Sequence, residues 1–530
     1  MGVRIQRVRR AAELARVARQ RSLLRVLREV GVVGARPATR ESAREFRRAL
    51  EELGTTYVKL GQLLSSRPDM LPDVYIEELG RLVDEVAPHP FAELEQIIHE
   101  ELGSEPFVSI DPEPYATASI AQIHSALLRD GREVVVKVRR PGIEEQVDLD
   151  LDLLRSTAAS AERHSQTARM LQLDALADEL ETHLRAELDF REEASNAELI
   201  ARIVADFDEL VVPRVVRPLV TERVLVLERI RGEKVSPAHG LQPEHAARLA
   251  RSFFDAYVQQ VCSHGVYHAD PHRGNVFLTE DGRLALLDFG LLGRLDDDTR
   301  TTLALLLLAV ARNRSEDVAG LLSGLSLTTL HSDSAGFLHE IRRKLPRYHW
   351  RPLAGIAVGE ALADLQRIAL RHGIRLPPSF ALVGKTLAQA DSIARTLDPT
   401  LDPIELIRSE SVSLMLREAE RRLRPDEALG YAFTQLDAIA RLPRQVGRTL
   451  ELLESGQIRF GVAPTGLDDL EHVLRSLANR IGAALIVVGL LVSSALMSFV
   501  NHTVAIVGFA ISGVLALYMV WRILRTPGEL

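Results

Sequence analysis

The rhythm of apolar and polar positions changes several times along this chain. Residues 41–105 read as helices. Within them residues 51–66 form one periodic run, closed by the breaker Arg67-Pro68-Asp69. Lys59 and Gln62 lie three apart and so share a helix face, which on spacing alone reads as a solvated pair. After Pro106 the character shifts. Residues 115–124 are a small-residue loop running into a strand, Arg129-Asp130-Gly131-Arg132 signals a hairpin, and residues 133–138 form a strand with Lys137 alone among valines. Residues 173–203 return to a helical period as one long charged helix carrying Glu187, Asp189 and Glu193. Residues 224–232 read as a strand and connection that include Glu228, and residues 244–264 as an amphipathic helix ending at Gly265. Residues 296–475 are mostly helical, broken at Pro346, Pro352, Pro377, Pro378 and Pro403. The apolar run 303–311 is too short to span a bilayer and reads as core.

Two further segments, 481–500 and 504–521, contain no charge, and each is near the roughly 20 residues needed to cross a bilayer. Asn501-His502-Thr503 would be the turn between them. Arg475 and Arg480 before the first segment, and Arg522 and Arg525 after the second, predict both ends on the cytoplasmic side. The expectation is a two-span transmembrane hairpin in the cell inner membrane, with the rest of the protein in the cytoplasm.

Composition narrows the picture. The chain has 530 residues and is 46% hydrophobic, enough for two or three domains with cores. A net charge of -8 gives no reason to expect nucleic acid as a partner. The single cysteine, Cys262, cannot form an intrachain disulfide and reads as a small buried residue, which fits a reducing compartment. The first 30 residues are rich in arginine, with Ile5, Val8, Leu14, Val17, Leu24 and Leu27 near helical spacing. They read either as a basic amphipathic helix on an anionic membrane or as a solvated arginine-rich helix.

The chemistry is concentrated in two short runs. In His268-Ala269-Asp270-Pro271-His272-Arg273-Gly274-Asn275, an aspartate stands five residues before an asparagine, the spacing by which a phosphotransferase catalytic loop places a base and a metal-binding amide. Asp288-Phe289-Gly290 then offers a second oxygen ligand. Magnesium takes hard oxygen ligands and leaves positions for phosphate and water. Upstream, the order of small-residue turn, strand, hairpin and strand with Lys137 is that of a kinase small lobe, whose strand lysine meets ATP phosphates. Ala116, Thr117, Ala118 and Ser119 stand where a kinase has glycines, so close backbone approach to phosphate is harder.

Taken together, Lys59-x-Gly61-Gln62, the loop at Ala116, Thr117, Ala118 and Ser119, Glu187-x-Asp189, and the two runs above make the chain resemble the UbiB family of atypical kinase-like proteins. That family is associated with isoprenoid quinone biosynthesis and lipid homeostasis. The resemblance covers about residues 40–330. It implies an α+β, bilobal protein-kinase-like fold with an N-terminal helical extension, to which the hydropathy adds the transmembrane hairpin. The domains would be 1–105 (basic segment and extension), 106–235 (small lobe), 236–475 (helical large lobe and stalk) and 476–530 (hairpin).

The resemblance also implies roles. The extension would fold over the active site, with Lys59 and Gln62 meeting Glu187 and Asp189 at the nucleotide. Glu193 would pair with Lys137, Asp270 would orient the nucleophile, Asn275 and Asp288 would hold Mg²⁺, and Glu228 would lie at the nucleotide-binding hinge. Thr117 where alanine is usual, and Arg273 where proline is frequent, depart from the family pattern without removing a metal ligand. The activity expected is a membrane-anchored, Mg-ATP-dependent kinase-like ATPase in ubiquinone-type or prenyl-lipid metabolism. The alternatives are a small-molecule or lipid kinase, and a nucleotide-sensing scaffold without turnover. A membrane lipid or quinone precursor, lipid-biosynthesis enzymes and a second copy of the chain are the partners to expect.

Overall fold

Alternation along one strand sets the orientation of the small lobe. In the computed structural model, which describes residues 2–409 apart from short breaks and a few residues between Ile506 and Tyr518, an antiparallel sheet runs in the order β1 (Phe107–Thr117), β2 (Ala121–Leu128), β3 (Glu133–Arg139), β5 (Val224–Glu228). Side chains on a strand point alternately to opposite faces. Val134, Val136 and Val138 are therefore buried together, in one cluster with Leu94, Ile97 and Ile98 of helix α5 (Phe91–Leu102). Lys137 projects from the other face. The β2–β3 turn carries Gly131 at φ +86°, a left-handed conformation that glycine adopts without strain.

Three helices follow β3: α6 (Ile143–His164), α7 (Leu173–Leu188) and α8 (Phe190–Ile203). The pattern predicted one helix over 173–203. The structure breaks it at Asp189, which is extended (φ -105°, ψ 98°) and accepts a hydrogen bond from the Arg191 backbone N–H as the N-cap of α8. An aspartate offers the backbone a local partner that competes with an unbroken helix.

The second lobe begins with β4 (Leu210–Val211) and β6 (Gly232–Lys234), which flank β8 (Val276–Thr279) and β9 (Leu284–Leu286) in the order β4-β9-β8-β6. β7 (Val266–His268) pairs with β10 (Leu292–Arg294). Helix α9 (Pro243–Gln259) continues as a π-helical turn over Gln260–His264 and stops at Gly265, whose φ is +65°. Helices α10 (Asp297–Ala311), α11 (Ser315–Leu325), α12 (Ser334–Lys344), α13 (Val358–Arg371) and α14 (Pro378–Leu397) complete this lobe. Phe253, Phe254, Tyr257, Cys262, Phe289, Phe337 and Leu303 of the 303–311 run share its core.

The extension comprises α1 (Gly2–Gln20), α2 (Arg40–Leu53), α3 (Thr55–Ser65) and α4 (Asp73–Leu79). Gly61 lets α3 pack closely: a Cβ there would lie 2.7 Å from Leu50 and 2.4 Å from Leu82 side-chain carbons. The arginine-rich α1 is anchored rather than wholly solvated. Val17 is fully buried, and Arg10 grips Asp150 of α6 through Nε–Oδ1 at 2.7 Å and Nη2–Oδ2 at 2.9 Å, while Nη2 also donates to the Leu53 carbonyl.

The chain divides into two units, Met1–Arg424 and Pro425–Leu530. Among the described residues no helix is long and apolar enough to cross a membrane. This corrects the expectation of a transmembrane hairpin and a two-span inner-membrane location, which rested on the hydropathy of segments 481–500 and 504–521. Most of those residues lie outside the described ones.

The Arg10–Asp150 pair gives the first prediction. Asp150 is fully buried, so Asp150→Ala strips a partly buried guanidinium of its bidentate partner and lowers stability by about 3 kcal/mol. In denaturant unfolding, Arg10→Met with Asp150→Leu together recover most of that loss. Equal stability of Asp150→Ala and the parent would show that α1 is not held by this pair.

Candidate functional site

The site forms where the face of β3 opposite Val136 meets α8 and the loops of the second lobe. Lys137 Nζ lies 2.7 Å from Glu193 Oε1 and 2.9 Å from Oε2, and both side chains are nearly inaccessible to water. Phe190 of α8 flanks the ammonium, with its ring centroid 5.5 Å away. On the other side stands Asp288, whose Oδ1 is 3.7 Å from Nζ. Burial by itself would lower the Lys137 pKa. The carboxylates of Asp288 and Glu193 more than reverse that and hold it above the usual lysine range. Lys137 in turn holds the Asp288 carboxyl far below the usual carboxylate range, against the opposing effect of burial and with further help from Lys59 and the Gly290 N–H. Asp288 is therefore ionised, and its side chain is 51% exposed, open to a cation.

Asp288 sits at φ +60°, in the left-handed region that aspartate tolerates better than most residues. Its Oδ1 accepts the Gly290 N–H at 3.2 Å, and Asn196 Nδ2 of α8 donates to the Phe289 carbonyl at 3.0 Å. Phe289 is buried, 5.4 Å from the His268 ring. His268 Nε2 meets the Leu287 carbonyl at 3.3 Å, and its Nδ1 accepts the Asp270 N–H at 3.2 Å. Burial pushes the His268 pKa down, so the ring is neutral and serves as a brace between the two loops.

Asp270 lies at the mouth of the catalytic-type loop. Gln389 Nε2 donates to its Oδ1 at 3.0 Å, and Lys385 Nζ approaches the same oxygen at 3.5 Å. Burial raises the Asp270 pKa, but Lys385 and Gln389 outweigh it and keep the group ionised. Asn275 Nδ2 donates to the Asp270 carbonyl at 3.3 Å, leaving its amide oxygen as the atom that can face a cation. The Asn275 carbonyl takes the Leu287 N–H at 2.8 Å, tying it to the Asp288 loop. Asp288 and Asn275 thus supply a hard oxygen pair on adjacent loops, which fits a magnesium ion that completes its shell with phosphate and water. Among the described residues there is no cluster of three or more histidine, cysteine or carboxylate ligands, and a nucleotide-borne magnesium needs none.

The remaining expected residues divide. Lys59 Nζ is 2.9 Å from Glu187 Oε1, both largely buried, and Gln62 lies one turn along α3 from Lys59. Both Asp189 oxygens are taken by Arg191, at 2.7–3.1 Å, because Asp189 caps α8. Ala116 and Thr117 belong to β1, paired with Ile123 and Gln122, and the turn proper is the short stretch from Ala118, whose N–H bonds the Ala121 carbonyl at 2.8 Å. The Ser119 carbonyl accepts from Thr55 Oγ1 of α3 at 3.0 Å, so the extension grips this turn directly. Glu228 ends β5, exposed, with its N–H committed to the Arg214 carbonyl. Sequence reasoning missed Thr55, Asn196, Lys385 and Gln389. Only the spacing of four between Lys385 and Gln389 hinted that the last two share a helix face.

Residues 81–322 match the ABC1 atypical kinase-like domain, residues 341–402 the UbiB helical domain and residues 465–525 the ABC1/UbiB kinase-like C-terminal domain. The chain is 34% identical to a probable protein kinase UbiB of Xanthomonas campestris, over 87% of this chain and 86% of that protein. It is 29% identical to an uncharacterized Synechocystis protein over 92% and 85% of the two chains. A Mycobacterium tuberculosis protein solved with erythromycin is similar at 23% identity and a TM-score of 0.49, over 70% of this chain and 96% of that one.

Removing the charge of Glu193 leaves Lys137 drawn toward Asp288. Glu193→Gln should therefore weaken Mg-ADP binding about tenfold, read by thermal-shift titration, while the melting curve without nucleotide stays cooperative. Parent-like affinity would mean that Lys137 does not need Glu193 to stay in position.

Proposed function

The chain belongs to the ABC1/UbiB family of atypical kinase-like proteins, and we propose that it is a Mg-ATP-dependent phosphotransferase whose principal acceptor is water, acting in ubiquinone-type or prenyl-lipid metabolism. The observation that carries the proposal is the buried Lys137 between Glu193 and the exposed, ionised Asp288. An ammonium fixed beside a free carboxylate and a neighbouring amide oxygen is suited to a metal-bound polyphosphate. Lys137 would hold the α- and β-phosphates. Asn275 and Asp288 would hold Mg²⁺, which supplies Lewis-acid stabilisation of charge on the phosphate oxygens. Asp270 would accept a hydrogen bond from the attacking oxygen and orient it in line.

The extension supports water as acceptor. Thr55 bonds the Ser119 carbonyl and Lys59 pairs with Glu187, so α3 lies against the turn after β1, where it would hinder a polypeptide substrate. The metabolic setting follows the relatives named as probable protein kinase UbiB.

Two substitutions separate binding from turnover. Asp288→Asn removes the charged metal ligand and should abolish Mg-dependent stabilisation by ADP. Asp270→Asn should keep Mg-ADP binding but lower phosphate release by about a hundredfold or more. Phosphate release from pure protein, alone and with prenyl-lipid vesicles, is the assay. Parent-like release by Asp270→Asn, or unchanged Mg-ADP stabilisation of Asp288→Asn, contradicts the assignment.

A further inference from the structure

Helix α14 lies more than a hundred residues beyond the catalytic-type loop in sequence, yet it forms the bed on which that loop rests. Its inner face is fully buried in the core of the second lobe through Val383, Leu387, Ala390 and Ala394. Three ties join the helix to the loop. Thr386, fully buried, donates from Oγ1 to the Ala269 carbonyl at 3.0 Å. Arg273 Nη2 donates to Thr396 Oγ1 at 2.7 Å, which gives a use to the arginine that departs from the family pattern. Between these, Lys385 and Gln389, one turn apart, converge on a single atom, Asp270 Oδ1. Gln389 Nε2 donates to Asp270 Oδ1 at 3.0 Å.

The asymmetry at Asp270 is informative. Oδ1 is held by two donors, whereas the nearest cationic candidate at Oδ2 is the His272 ring at 3.9 Å. We propose that Lys385 and Gln389 are positioning residues for phosphoryl transfer, clamping Asp270 by Oδ1 so that Oδ2 is presented to the hydroxyl of the nucleophile. The inference rests on the reading of Asp270 given above. In the step it serves, the water oxygen bonds to the γ-phosphorus as the bond from that phosphorus to the β–γ bridging oxygen breaks. The electron pair leaves with ADP, and the water proton passes by way of Asp270 Oδ2 to the inorganic phosphate. The cation beside Asp270 comes from α14, not from the loop that carries the aspartate. Lys385 also lines a cavity of about 180 Å³ with Ser65, Asp73, Gln366 and Arg367.

The test uses the full chain. Phosphate release is measured against Mg-ATP, and Mg-ADP affinity by titration, for the parent, Lys385→Ala, Lys385→Arg, Gln389→Ala and Asp270→Asn. A misaligned base slows the chemical step without touching the nucleotide. Lys385→Ala should therefore lower kcat about tenfold to a hundredfold with KM for ATP and Mg-ADP affinity within about threefold of the parent, and Lys385→Arg should restore much of the loss. Gln389→Ala should lower kcat by about threefold to tenfold with the same split. Gln389→Glu, similar in shape but placing carboxylate against carboxylate, provides a second reading should Lys385→Ala not fold; it too should lose kcat. If Asp270→Asn is inactive while Lys385→Ala and the Gln389 variants turn over like the parent, the positioning role is wrong and the role of Asp270 survives. If Lys385→Ala instead raises KM with kcat unchanged, Lys385 is a nucleotide ligand and the proposal also fails. If Asp270→Asn itself turns over like the parent, both readings fall.

Discussion

A buried lysine ammonium must have partners, because an unpaired buried charge costs several kcal/mol (about 3–5 when a partner is removed). Lys137 meets that requirement with two carboxylates from different parts of the chain: Glu193 on α8, at 2.7 Å, and Asp288 in the second lobe, at 3.7 Å. Satisfying one buried charge thus registers β3, α8 and the Asp288 loop against one another. The same arrangement keeps Asp288 ionised and accessible. Structure and proposed chemistry share a single electrostatic constraint.

Around this centre the chain builds two flanks. On one, α3 of the extension holds the turn after β1 by its Ser119 carbonyl and reaches Glu187 with Lys59. The turn lacks glycines and is tied down, which favours a fixed phosphate site over a flexible flap. On the other flank, α14 supports the loop that carries Asp270. His268, neutral and buried, bridges the Asp270 and Asp288 loops through backbone groups of each. The groups proposed to bind metal and to orient the nucleophile are thus held by the protein's own contacts, which is what positional catalysis asks of a site.

Much of this was legible where chemistry is packed into short runs. Asp270, Asn275 and Asp288 announce themselves by spacing, and Lys137 by standing alone in a valine strand. The Lys137–Glu193 and Lys59–Glu187 contacts followed from family resemblance, since nothing local in a charged helix distinguishes Glu187 or Glu193 from solvated neighbours. A helical period conceals the cap at Asp189, where the local bond to the Arg191 N–H prevails over continuation of the helix. The C-terminal hairpin rested on hydropathy alone, and among the described residues no helix is long and apolar enough to cross a membrane. Lys385 and Gln389 were invisible because a polar pair four apart on a helix looks like an exposed face until tertiary structure sets the Asp270 loop against it.

The most direct test of the central claim is a crystal structure of the full chain with Mg-ADP. The account predicts the metal between the Asn275 amide oxygen and the Asp288 carboxylate, Lys137 on the α- and β-phosphates while still paired with Glu193, and α3 still bonded to the Ser119 carbonyl. A nucleotide bound elsewhere, or bound here with Lys137 and Asp288 making no contact to phosphate or metal, would contradict it.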